Sequence, residues 1–138
     1  MQSEQSSLIL RHFAHSDIDV LVELLNDESV QRFLSPKIPF PYTQADATWW
    51  VEEGAKAGVT RAVQVNGELV GCIGALAGAH EYRHSAEVGY WFGKRFWGNG
   101  YAQQALACLI AHVQQHTDWR RLFATVFAGN NASHSVLL

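Results

Sequence analysis

One octapeptide constrains the architecture most: Arg95-Phe96-Trp97-Gly98-Asn99-Gly100-Tyr101-Ala102 joins a strand-like run ending at Phe92 to a helix-like run starting near Tyr101. The run over residues 85–92 is rich in β-formers, and Ala102, Ala105, Leu106, Leu109, Ile110 and Val113 recur at helical spacing. Residues 121–128 then return as a strand. Strand, helix, strand predicts a right-handed crossover with parallel pairing. At the first junction Gly98 and Gly100 serve either as an ordinary tight turn or as an anion cradle. In the second case backbone N–H groups converge where a helix begins and no Cβ stands in the way.

The remaining punctuation is equally local. Residues 8–11 form a short apolar strand, and Ser16-Asp17-Ile18-Asp19 opens a helix whose apolar face is Ile18, Leu21, Val22, Leu24 and Leu25, ending near Asn26. A short helix is predicted within 27–34. All three prolines fall in residues 36–41, which breaks regular structure there. Thr43 and Asp46 carry the signature of a capping box, starting a helix expected to reach about Lys56. Strands over 60–65 and 68–75 flank Asn66-Gly67, a dipeptide suited to a primed hairpin turn. With 85–92 they make an antiparallel meander. A last helix is predicted from the 129–133 region.

Composition bounds the function. A chain of 138 residues supports one domain, 1–138, and its 48% hydrophobic content suits a packed core. Ten basic against thirteen acidic residues give a net charge of -3 with no basic block, which argues against nucleic acid as primary ligand. Cys72 and Cys108 each lie in apolar stretches and read as buried free thiols, a disulfide being the alternative. The polar N-terminus is unlike a secretory signal, and no apolar run is long enough for a membrane span. A cytoplasmic protein without membrane attachment is expected. No Cys/His spacing points to a metal site.

Taken together, the order of elements and the motif Arg95-Phe96-Trp97-Gly98-Asn99-Gly100 resemble the GNAT superfamily of acyl-CoA-dependent N-acetyltransferases. Ala86-Glu87-Val88-Gly89-Tyr90-Trp91 and Gly129-Asn130-Asn131-Ala132-Ser133 are similar to the branch containing the ribosomal-protein N-terminal acetyltransferases. The resemblance covers nearly the whole chain. It implies an α/β (α+β) GNAT fold, with a mixed, mostly antiparallel sheet flanked by helices and splayed between its fourth and fifth strands to admit acetyl-CoA. The pyrophosphate would rest on the backbone from Arg95 through Gly98, Asn99, Gly100, Tyr101 and Ala102. The pantetheine arm would pair with Tyr90, Trp91 and Phe92, and Asn130 would contact it. For each side chain a structural role competes: core packing for Tyr90 and Trp91, a solvated surface for Arg95, a helix cap for Asn130.

The implied reaction is acetyl transfer from acetyl-CoA to a primary amine, a protein N-terminus or a small molecule, by direct attack. Glu87 is either the general base or a structural carboxylate. The tyrosine that many relatives use as acid is replaced here by Leu137, so Ser133 is the candidate acid or else a cap. Of the histidines, His80, His84 and His134 have no neighbour that singles one out for proton transfer. Phe33, Leu34, Pro39, Phe40 and Tyr42, backed by Trp49 and Trp50, are candidates for the acceptor wall. Relatives continue into further strands, so the chain reads as C-terminally short. An unpaired edge at 121–128 would then favour a homodimer. The alternative function is a degenerate GNAT-like module that binds CoA or a partner without turnover. A flavin- or nucleotide-binding fold is disfavoured because its glycine loop follows the first strand.

Overall fold

The computed structural model describes residues 7–32, 34, 38–78, 83–125 and 133–137, with 124–125 and 133–137 described as backbone only. Strand β1 (Leu8–Arg11) leads through a 3-10 turn at His15–Asp17 into α1 (Ile18–Leu25) and α2 (Glu28–Gln31). Helix α3 (Gln44–Glu52), strands β2 (Val59–Val65), β3 (Glu68–Ala77) and β4 (Ser85–Phe92), helix α4 (Tyr101–His116), and strands β5 (Arg121–Thr125) and β6 (Ser133–Leu137) follow. The sheet is six-stranded and in sequence order. Among the described residues only β4 and β5 pair parallel, as a crossover through α4 requires.

Local chemistry accounts for the boundaries. Asn66 and Gly67 adopt φ of 52° and 81°, as a primed hairpin turn requires. At the start of α3 the Asp46 N–H donates to Thr43 Oγ1 (3.2 Å) and the Thr43 N–H donates to Asp46 Oδ2 (2.9 Å), which completes the capping box. That helix stops at Glu52, and a separate 3-10 turn at Gly54–Lys56 takes the place of the longer helix expected there. Gly54 is the reason for the break, because a Cβ on it would come within 2.5 Å of the Trp50 ring.

Two cores hold the layers together. Leu10, Val63, Ile73, Val88 and Leu122 on one sheet face pack against Leu109 and Val113 of α4. The opposite face packs Ala62 and Leu69 against Leu21, Leu25 and Ala47 from α1 and α3. Each fully buried Leu or Ile contributes about 1.5–3 kcal/mol. Cys72 and Cys108 are buried free thiols, and burial pushes the Cys72 thiol up to about 12, so it is not a nucleophile near neutral pH.

A buried ion pair joins β1 to the first helix. Arg11 donates to both carboxylate oxygens of Asp17 at 2.8 Å, and the Ala14 N–H donates to Asp17 Oδ2 at 2.8 Å. Burial pushes the Asp17 carboxyl up, but the hydrogen bonds from Arg11 and Ala14 outweigh it and hold it below the ordinary aspartate range. The pair's stabilisation is therefore fully present above the unfolded value near 3.9, and is lost as pH falls below it through the folded value. Asp17→Asn is expected to cost about 2 kcal/mol at pH 7, a fall in Tm of roughly 6 °C. In thermal melts that deficit should shrink toward pH 3.

The C-terminal expectation is corrected. Residues 133–137 form a strand, not a helix, and pair antiparallel with β5 from Thr125↔Ser133 to Arg121↔Leu137. The physical reason is the edge of β5, whose N–H and C=O groups need partners that an antiparallel strand supplies and a helix does not. The β5 edge is thus covered by β6 along Arg121–Thr125.

Candidate functional site

Strand β4 pairs with β3 along Ala86–Phe92, but with β5 only over Ser85↔Arg121 to Val88↔Ala124. Among the described residues the pairing of β4 with β5 ends at Val88↔Ala124, and 89–92 have no described partner on that side. Backbone groups along this stretch have the geometry to pair with an extended chain.

Strand β4 runs directly into the glycine loop. The Gly93 N–H donates to Val70 O at 2.9 Å, which anchors the end of β4 on β3. A 3-10 turn at Lys94–Phe96 follows. The Trp97 indole N–H then donates back to Phe92 O at 2.9 Å, and Asn99 Nδ2 donates to Phe96 O at 2.9 Å. Gly98 and Gly100 have φ of 83° and 74°, a region in which a side chain is strained. Gly100 is the N-cap of α4, and no side chain caps that helix. The first bond within the helix runs from the Gln104 N–H to Gly100 O at 3.2 Å, so the preceding N–H groups open outward with the positive end of the dipole. A Cβ built on Gly98 or Gly100 meets nothing within 4 Å. These glycines are needed for backbone conformation and for approach from outside, not for packing within the chain.

The predicted residues divide by where their side chains go. Trp91 packs against the core under α1 and α3, and Phe92 is buried in the other core. Tyr90 is exposed, with its ring 6.0 Å from that of Phe92. Tyr101 and Ala102 pack on the α4 core, which leaves their backbone for the loop. Arg95 lies with its guanidinium 4.7 Å above the Phe96 ring and bonds Glu23 of α1 at 2.9 Å and Glu68 of β3 at 3.5 Å. Glu87 is exposed on β4, between Leu76 of β3 and Phe123 of β5 in the sheet register. Ser133 opens β6 opposite Thr125, one residue past the last β4 partner, Ala124. Asn130, Phe33 and His80 lie outside the described residues.

Around the proposed acceptor wall, Leu34 and Trp50 pack on the second core, with Trp50 edge-on to Phe13 at 5.8 Å. Tyr42 is buried; its hydroxyl is pushed up to about 12 by burial and then by Asp46, and it stays neutral. Pro39, Phe40 and Trp49 are exposed. His84 Nδ1 lies 3.4 Å from Asp118 Oδ2, at the start of β4.

Two features were not singled out from the sequence. Asn26 holds the segment after the prolines, accepting from the Tyr42 N–H at 2.6 Å and donating to Tyr42 O at 2.7 Å. Trp97 pins the glycine loop, and the only signal for it was an aromatic residue directly before Gly98. A separate cavity of about 680 Å³ is lined by Arg11, Asp17, Gln64 and Glu68. Arg11 is already bonded there to Asp17 and Gln64, so that space belongs to the β1 join and not to the loop.

Comparison with known proteins agrees with this geometry. The family model described as "Acetyltransferase (GNAT) domain" matches residues 7–138. The chain belongs to the GNAT acetyltransferase family. It is 28% identical over 142 residues to the uncharacterized N-acetyltransferase YoaA of Bacillus subtilis, covering 98% of this chain and 78% of that protein. Mycobacterium smegmatis RimJ, solved in complex with CoA-disulfide, superposes with a TM-score of 0.78 at 18% identity, over 94% of this chain and 66% of that one. RimL, a ribosomal L7/L12 alpha-N-protein acetyltransferase solved with coenzyme A, gives 0.71 at 22% identity, over 89% and 72%. These two likenesses concern the fold. The protein is an acetyltransferase whose acetyl donor is acetyl-CoA. No helix among the described residues is long and apolar enough to cross a membrane.

Proposed function

We propose that the chain transfers the acetyl group of acetyl-CoA to a primary amine, of a protein N-terminus or a small molecule, by direct attack on the thioester. One observation carries this reading: the last residues of β4, past its described pairs with β5, run straight into the uncapped, glycine-hinged start of α4. An extended arm fits the first and a pyrophosphate the second. In this reading the backbone from Arg95 to Ala102 holds the pyrophosphate, with the N–H groups from Gly98 to Ala102 receiving it while those of Phe96 and Trp97 donate to Gly93 O (2.9 Å) and Lys94 O (3.1 Å), and the backbone of Tyr90, Trp91 and Phe92 receives the arm. A backbone N–H there also stabilises the oxygen on which charge develops.

The neutral amine attacks the carbonyl carbon, the new C–N bond forms and the C–S bond breaks. Glu87 takes the proton from the nitrogen, directly or through a water. The thiolate takes a proton from a hydroxyl, a role we give to Ser133. Arg95 is bound by carboxylates, so its guanidinium sets the entrance of the loop while its backbone serves the phosphate.

This assignment of Arg95 has a test whose sign is diagnostic. Glu23→Gln is expected to weaken acetyl-CoA binding about 2- to 4-fold, in the same direction as Arg95→Met, because exposed pairs of this kind make small contributions. Were the guanidinium itself a phosphate ligand, releasing it from Glu23 would strengthen binding. The family-level reaction is tested by titrating acetyl-CoA in a calorimeter and then following thiol release with N-terminal peptides, polyamines and amino acids. Binding together with amine-dependent release is expected; binding without release from any amine would overturn the transfer reading.

A further inference from the structure

We propose that the amine acetylated here is a monoamine with an apolar carbon chain next to its nitrogen, and that Leu76 selects it. The inference rests on the reading above, in which Glu87 receives the proton of the attacking amine. Sheet register supplies the neighbours of that carboxylate. Leu76 lies opposite Glu87 on β3, and Phe123 lies opposite it on β5. Residues directly opposite share a face, with Cβ atoms about 4.5–5.5 Å apart. One carboxylate therefore stands in a row between two apolar side chains.

The surroundings leave that row accessible. Leu76 is 52% exposed, unusual for a leucine in mid-sheet, and Glu87 is exposed beside it. Leu76 lies beside Gly58, whose φ is 56° and on which a Cβ would come within 2.7 Å of Leu76 Cδ2. The next row is the pair Gly74 and Gly89, which carries no side chains, and a Cβ on Gly89 meets nothing within 4 Å. A row without side chains thus lies next to Glu87 along β3 and β4. The row beyond, Cys72 and Trp91, closes under α1 and α3.

Chemistry then sorts the acceptors. An ammonium is drawn to Glu87, and the carbons attached to it fall on Leu76 and Phe123. A hydroxyl on those carbons would exchange water for a leucine surface with no donor or acceptor. A second ammonium would meet no second carboxylate in these rows.

The test measures thiol release from acetyl-CoA with isopentylamine, ethanolamine and 1,4-diaminobutane at equal free-base concentrations. Wild type, Leu76→Gln and Leu76→Met are compared, with acetyl-CoA affinity measured by calorimetry. In wild type, kcat/KM for isopentylamine should exceed that for the other two amines by about 10-fold or more. Leu76→Gln should bring the ratio below about 3, Leu76→Met should retain it, and acetyl-CoA affinity should stay within about 2-fold in all three. Equal or better use of the diamine or ethanolamine by wild type, or an unchanged ratio in Leu76→Gln, overturns the selection while leaving acetyl transfer standing. Acetyl-CoA binding with no thiol release from any amine overturns the transfer reading and this inference with it.

Discussion

A Gly98→Ala, Gly100→Ala double variant should fold and yet lose acetyl-CoA binding by about 100-fold. The two effects separate because of what surrounds the glycines. Neither Cβ would touch another part of the chain, so the cost to the fold is the left-handed backbone at φ of 83° and 74°. That cost is about 1–2 kcal/mol per residue, tolerable for a domain with a net stability of about 5–15 kcal/mol. The cost to binding is larger. The new methyl groups project into the open side from which a pyrophosphate approaches, and the backbone relaxes away from the turn that aims its N–H groups. Losing two charge-assisted hydrogen bonds, at about 1.5–3 kcal/mol each, is enough for about 100-fold. Circular dichroism and calorimetry on the same preparation check both halves. Wild-type affinity in a folded double variant would mean that the loop is an ordinary turn.

Glu87→Gln should lower kcat by about 100-fold while acetyl-CoA affinity stays within about 2-fold. Glutamine keeps the size and the hydrogen-bonding capacity of the carboxylate and removes its ability to accept a full proton. A carboxylate that only orients its surroundings is replaced by the amide with little loss. Steady-state rates with a saturating amine, beside a calorimetric titration, separate the two roles. A kcat within about 3-fold of wild type would assign Glu87 to structure.

Much of this was legible locally. The hairpin at Asn66-Gly67, the capping box of Thr43 and Asp46, the bounds of β4 and the glycine turn all depend on residues within a few positions of one another. Backbone sterics and short-range hydrogen bonds decide such features, and they act in the same way whatever the chain packs against. The C-terminal segment shows the limit. Residues 129–133 carry cap-like chemistry, but the strand at Ser133–Leu137 answers the needs of β5, a neighbour that local propensity does not see.

The site divides along the same line. The amino-acid sequence alone determined that two glycines stand between a strand and a helix, and that a carboxylate at Glu87 lies on that strand. Tertiary structure decided where the charges go. Arg95 meets Glu23 and Glu68 across 72 and 27 residues of chain, so its guanidinium is held by carboxylates that no local pattern pairs with it. It also decided that Glu87 stands between Leu76 and Phe123 in the sheet register. The physical reason is that turns and caps are settled by contacts within a few residues. The partners of a long charged side chain, and the neighbours across a sheet, exist only once distant segments have packed.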